Sequence, residues 1–119
     1  MGGYAWYKEE ELIAIWFASI GINPGVIAML LEGRGYIRTE KSVRQKIKEI
    51  RELNNLGPSS SALRLDLVDT WIELTSQQQN IDIHDLLRPN PKDQEIINQS
   101  RRAICLMSHF SSRLNQFAL

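Results

Sequence analysis

Apolar residues recur along this chain with a helical period and nowhere with the strict alternation of a half-buried strand. Between residues 8 and 20, Leu12, Ile13, Trp16, Phe17 and Ile20 stand at i, i+1, i+4, i+5 and i+8, one stripe of a helix. Glu9, Glu10 and Glu11 fall in its first turn, where carboxylates favour the positive end of the helix dipole, and Gly21 ends it. Asn23-Pro24 opens a second, short helix, Asn suiting the N-cap and Pro the first helical position. Val26, Ile27, Leu30 and Leu31 form its buried side, and Gly33 stops it. After a turn over 33–38, Thr39 caps a third helix over 40–54. Val43, Ile47 and Ile50 there face a core. Lys41, Arg44, Lys48 and Arg51 share a second stripe, about 115° around the helix at 100° per residue. One face is anchored in protein while the adjoining face carries cations.

The run Asn-Asn-Leu-Gly-Pro-Ser-Ser-Ser over 54–61 is a linker or sharp turn. It divides the chain into residues 1–56 and a second helical module, 57–119. The module begins with a helix near 62–77, carrying Leu63, Leu67, Val68, Trp71, Ile72 and Leu74, and leaves it through the polar run 77–80. Asp82 caps a short helix with Ile81 and Leu86 at hydrophobic-staple spacing, and Pro89 ends it. Asn90-Pro91 repeats the cap-plus-proline start and opens the longest helix, about 91–117. Its apolar positions include Ile96, Ala103, Met107, Phe110, Leu114 and Phe117; from Ala103 the spacing is 4-3-4-3, a seam of the coiled-coil kind. The fold class is all-α.

At 119 residues the chain suits one domain or two very small ones. Cys105 alone can form no internal disulfide, and with two histidines it builds no zinc site. Cys105 and His109 are spaced i, i+4, but two ligands leave a metal site incomplete, and a buried thiol beside a polar histidine is the simpler reading. Asp82, His84 and Asp85 are explained by capping, and no base is tied to Ser59-Ser60-Ser61. No apolar run reaches the length of a membrane span, and the first residues lack the pattern of a secretory signal. A reducing, intracellular compartment is expected, with no cofactor, no metal and no small-molecule substrate. No active site assembles, so the expectation is a non-enzyme.

Net charge is zero but uneven. Residues 1–32 hold one Lys and four Glu; residues 33–51 hold seven of the fourteen cations against two Glu; the remainder holds six basic and eight acidic residues. A basic block between acidic flanks is a candidate footprint for a polyanion.

Trp6-Tyr7-Lys8-Glu9-Glu10-Glu11-Leu12, the pair Ile27-Ala28, and Arg38-Thr39 opening the basic third helix together resemble a Myb/SANT-type domain of the homeodomain-like helix-turn-helix class. The likeness covers residues 4–54, and Gly35-Tyr36 before the third helix is similar to the fungal-type variant. Of the family's three spaced tryptophans Trp6 is kept, with Pro24 and Ile47 where the others would fall. The resemblance implies a third helix in the major groove of double-stranded DNA, with Lys41, Arg44, Gln45 and Lys48 at base edges. Such residues suit that task chemically: Arg can bridge O6 and N7 of guanine, and Gln can pair with N6 and N7 of adenine. Lys46 and Arg51, with Arg34 and Arg38 in the turn, are placed for phosphates, which give affinity without sequence information. It implies a nuclear regulator of transcription or chromatin. Relatives of the SANT type bind proteins instead, so the alternative is a module that binds an acidic protein partner and no DNA. Trp71, Met107, Phe110, Leu114 and Phe117 are the candidate interface for a homodimer or a helical partner. A dimer would place two basic helices on half-sites about 34–36 Å apart.

Overall fold

The computed structural model describes residues 5–88 and 91–98. These form six helices and no strand: α1 (Lys8–Ser19), α2 (Pro24–Glu32), α3 (Glu40–Asn54), α4 (Leu65–Gln79), α5 (Ile83–Leu86) and α6 (Pro91–Asn98). No helix among the described residues is long and apolar enough to cross a membrane. The expected start of α6 falls at Pro91, whereas its Asn90 cap, Pro89 and everything expected beyond Asn98 lie outside the described residues.

The helix ends obey local chemistry. Asn23 accepts from the Val26 N–H at 3.0 Å, Thr39 from Ser42 at 3.0 Å and Asp82 from Asp85 at 3.2 Å, each holding an amide that the first turn leaves without a partner. At α1 the N-cap Tyr7 supplies no side-chain cap; Glu10 reaches back instead and accepts the Tyr7 N–H at 3.0 Å. α3 and α4 close on asparagines in the left-handed region, Asn55 at φ 53° and Asn80 at φ 55°.

α1 is the centre of the molecule. Its expected stripe is buried, but so are Ala14 and Ile15 on the other side, so every residue from Leu12 to Phe17 is fully enclosed. A helix that is apolar all round needs cover all round. α2 and α3 pack on it, and so does α4. Val68, Ile72 and Leu87 belong to the same core cluster as Trp16, Leu30 and Ile47. The core therefore runs without interruption across the division expected near residue 57. Burying Val68 and Ile72 contributes about 1.5–3 kcal/mol each, by the usual transfer scale.

The connection from α3 to α4 is a built turn. Gly57 has φ 150°, and a Cβ there would overlap the Ala62 carbonyl. The Arg64 N–H donates to the Leu56 carbonyl at 2.7 Å and the Ala62 N–H to the Ser59 carbonyl at 3.0 Å. These bonds fold the serine run back alongside α3 instead of leaving it as a spacer.

Candidate nucleic-acid interface

α3 is anchored by Val43, Ile47 and Ile50, all buried. This fixes which of its residues can meet a ligand. Lys41, Arg44, Gln45 and Lys48 are all exposed. Among the described residues, neither Lys41 nor Lys48 lies within ion-pair distance of a carboxylate. Arg44 contacts Glu40 one turn back at 2.7 Å, but both side chains are more than half exposed. Such an exposed pair contributes about 0.3–0.5 kcal/mol, too little to hold Arg44 against a competing phosphate or base.

The other four expected contacts are placed differently. Arg38 is buried against α1. Its Nε donates to Glu10 Oε2 at 2.6 Å and its Nη2 to Glu10 Oε1 at 2.8 Å, while Nη2 also donates to the Ala5 carbonyl at 3.0 Å. The guanidinium lies 4.8 Å from the centre of the Trp6 ring. Arg34 makes a two-pronged bond to Asp93 of α6, both prongs at 2.5 Å, and its Nη1 donates to the Leu30 carbonyl at 3.3 Å. Both arginines answer buried carboxylates, so neither projects toward solvent as a phosphate contact would. Lys46 is largely covered; its Nζ lies 5.8 Å from the Trp6 ring and 3.8 Å from Glu49. Arg51 donates to the Gly57 carbonyl at 3.2 Å and pairs with Glu52 at 3.5 Å, because the turn after α3 folds over that end of the helix. Its buried Nε has no hydrogen-bond partner among the described residues.

The two sets of cations separate by energy as well as position. Burial would raise the Glu10 carboxyl, but hydrogen bonds from Arg38 and the Tyr7 amide, with the charges of Arg38 and Lys46, hold it below its ordinary 4.5. The same hydrogen bond from Arg38 to Glu10 raises the arginine, against a smaller opposing effect of burial. Burial, and then the charges of Glu9 and Glu10, push the Tyr36 phenol above its ordinary value, so it stays protonated. Two-pronged buried pairs of this kind fix geometry, and removing one partner is costly. Exposed Lys41, Arg44 and Lys48 carry no such obligation.

Beside the exposed set lies a cavity of about 560 Å³ between α3, the α1–α2 turn and the serine run. Arg44, Lys48, Ser60 and Ser61 contribute polar groups to it, and Ala18, Ile22, Pro24 and Ile47 apolar surface. Nothing in the spacing of the serines announced this; it follows from the turn at Gly57. Asp93 and Glu10 were equally hidden as partners, since they lie 59 and 28 residues from Arg34 and Arg38.

Of the expected dimer or partner interface, Trp71 is half-buried against the core. Met107, Phe110, Leu114 and Phe117 lie outside the described residues, as do Cys105 and His109. Among the described residues no group of three or more His, Cys, Asp or Glu could hold a metal ion. Comparisons with protein-family models, curated proteins and solved structures give no match to this chain.

Proposed function

We propose that this chain binds double-stranded DNA through α3, as a Myb/SANT-like helix-turn-helix protein of the nucleus that regulates transcription or chromatin. The observation that carries the reading is the exposure of Lys41, Arg44, Gln45 and Lys48 on a helix whose neighbouring face is anchored by Val43, Ile47 and Ile50. An α-helix so held can enter a major groove without unfolding anything. Two further features favour it: the buried carboxylates Asp93 and Glu10 are already matched by Arg34 and Arg38, and the exposed cations of α3 keep donors available. Base contacts come from Arg44 and Gln45; Lys41 and Lys48 add the salt-dependent share of the affinity.

A single helix offers few base contacts. A second copy, joined through Trp71 and the apolar seam at Met107, Phe110, Leu114 and Phe117, would supply a second half-site.

The test is selection from a random duplex pool, then fluorescence anisotropy on the selected duplex at several salt concentrations, with light scattering on the free protein. Arg44→Ala is expected to weaken the preferred site by about 1–3 kcal/mol and to relax base choice there. Absence of duplex binding at low salt, or full affinity in Arg44→Ala, overturns the DNA reading. A monomer by light scattering, both free and on a two-half-site duplex, overturns the dimer.

A further inference from the structure

The serine run at 59–61 stands outside the segment that the Myb/SANT likeness covers, yet the turn at Gly57 carries Ser60 and Ser61 to the edge of α3. Both line the cavity that Arg44 and Lys48 also line. Ser59 Oγ and Ser61 Oγ are 3.2 Å apart, and the Ala62 amide closes the turn on Ser59. Ser60 and Ser61 thus share the cleft with two cations and with an apolar floor that includes Ile22 and Ile47.

We infer that this cleft holds one backbone phosphate of the bound duplex, with its sugar against the apolar floor; the inference rests on the DNA reading of α3. The chemistry of the walls selects the occupant. No carboxylate residue is part of the cleft lining among the described residues; Glu40, paired with Arg44 at 2.7 Å, offsets that arginine, so the uncompensated charge of the cleft is that of Lys48. A phosphodiester presents oxygens for the Lys48 ammonium and the serine hydroxyls, which leaves Arg44 to the bases. Its deoxyribose carbons match Ile22 and Ile47. The chain's own final segment is a poor occupant: residues 99–119 contain Arg101, Arg102 and Arg113 and no Asp or Glu. Phosphates fix register on a duplex without reading sequence, so the serines set how deeply α3 lies in the groove.

The experiment uses the full chain and the selected duplex, by anisotropy over a range of salt. The combined change Ser60→Ala and Ser61→Ala removes neutral donors only. It is expected to weaken binding about tenfold, as loss of hydrogen bonds to a charged group does, with the salt slope unchanged. Lys48→Gln, on the surface and harmless to folding, is expected to lower the slope by about one. Ser61→Asp, which brings a carboxylate to the phosphate, is expected to weaken binding more than the alanine change. Circular dichroism establishes that each variant is folded. Failure of the unaltered protein to bind any duplex overturns the reading of α3 itself. Normal duplex binding in the alanine variant, or an unchanged slope in Lys48→Gln, overturns the cleft alone. Two other probes decide the ligand class. Inorganic phosphate or a poly-glutamate peptide that binds the unaltered protein as tightly as the duplex, with the same loss in the alanine variant, also overturns it.

Discussion

Arg38→Ala separates a structural arginine from a DNA-contacting one. The substitution removes two charge-assisted hydrogen bonds, at 2.6 and 2.8 Å, and leaves the Glu10 carboxylate fully buried with the Tyr7 amide as its remaining partner among those bonds. Breaking a buried pair from one side costs about 3–5 kcal/mol, and loss of the contact with the Trp6 ring adds about 0.5–1 kcal/mol. That is about a quarter or more of the 5–15 kcal/mol typical of a domain of this size. Urea denaturation at pH 7 should show it as a lower midpoint with the slope unchanged. A double-mutant cycle with Glu10→Gln should give a coupling of about 2–3 kcal/mol. The pH dependence supplies a second reading. In the unaltered protein Glu10 is held below its ordinary 4.5, so it adds stability above that value, and the gain disappears as pH falls through the lowered native value. Without Arg38, burial dominates and Glu10 takes up a proton more readily. The difference between the two proteins should therefore narrow on acidification. Once folded, the variant should bind duplex with the same salt slope as the original. A destabilisation below about 1 kcal/mol, a gap that widens in acid, or a slope reduced by one in Arg38→Ala would refute the reasoning.

Ile72→Ala, in α4, should cost about 2–5 kcal/mol and lower the stability of α1–α3 with it, giving one cooperative transition by tryptophan fluorescence and by circular dichroism; two separated transitions would mean that the halves do not share the core. Gly57→Ala should destabilise by about 1–3 kcal/mol, because the new Cβ meets the Ala62 carbonyl at φ 150°; equal urea midpoints would show that the turn relaxes. Asp93→Ala leaves the largely buried Arg34 without its carboxylate. It should cost about 3–5 kcal/mol and speed amide exchange throughout α6, which hydrogen exchange would report.

Much of this molecule is written locally. The start of α2 follows from Asn23-Pro24, the span of α3 from Thr39 and the period of Val43, Ile47 and Ile50, and the short α5 from Asp82 and its staple. Each is a choice made by residues within four positions of one another, where helix capping and the helical repeat act. The exposure of Lys41, Arg44 and Lys48 also follows from that repeat, because placing Val43 and Ile47 inward turns these three outward. Long-range pairing could not be read this way. Arg34 and Arg38 look like any other cations of a basic block until folding brings Asp93 and Glu10 beside them, and a buried carboxylate outcompetes solvent for an arginine fork. Ser60 and Ser61 read as spacer until Gly57 reverses the chain. Ala14 and Ile15 fall outside the stripe of α1 and are enclosed all the same, because α4 packs on that helix as well as α2 and α3. Sequence alone determined α1, α2, α3 and α5 and the outward row on α3, since backbone hydrogen bonds and side-chain period are short-range. Tertiary structure decided which cations remain outside and what stands opposite them, since burial and charge pairing depend on distances in space.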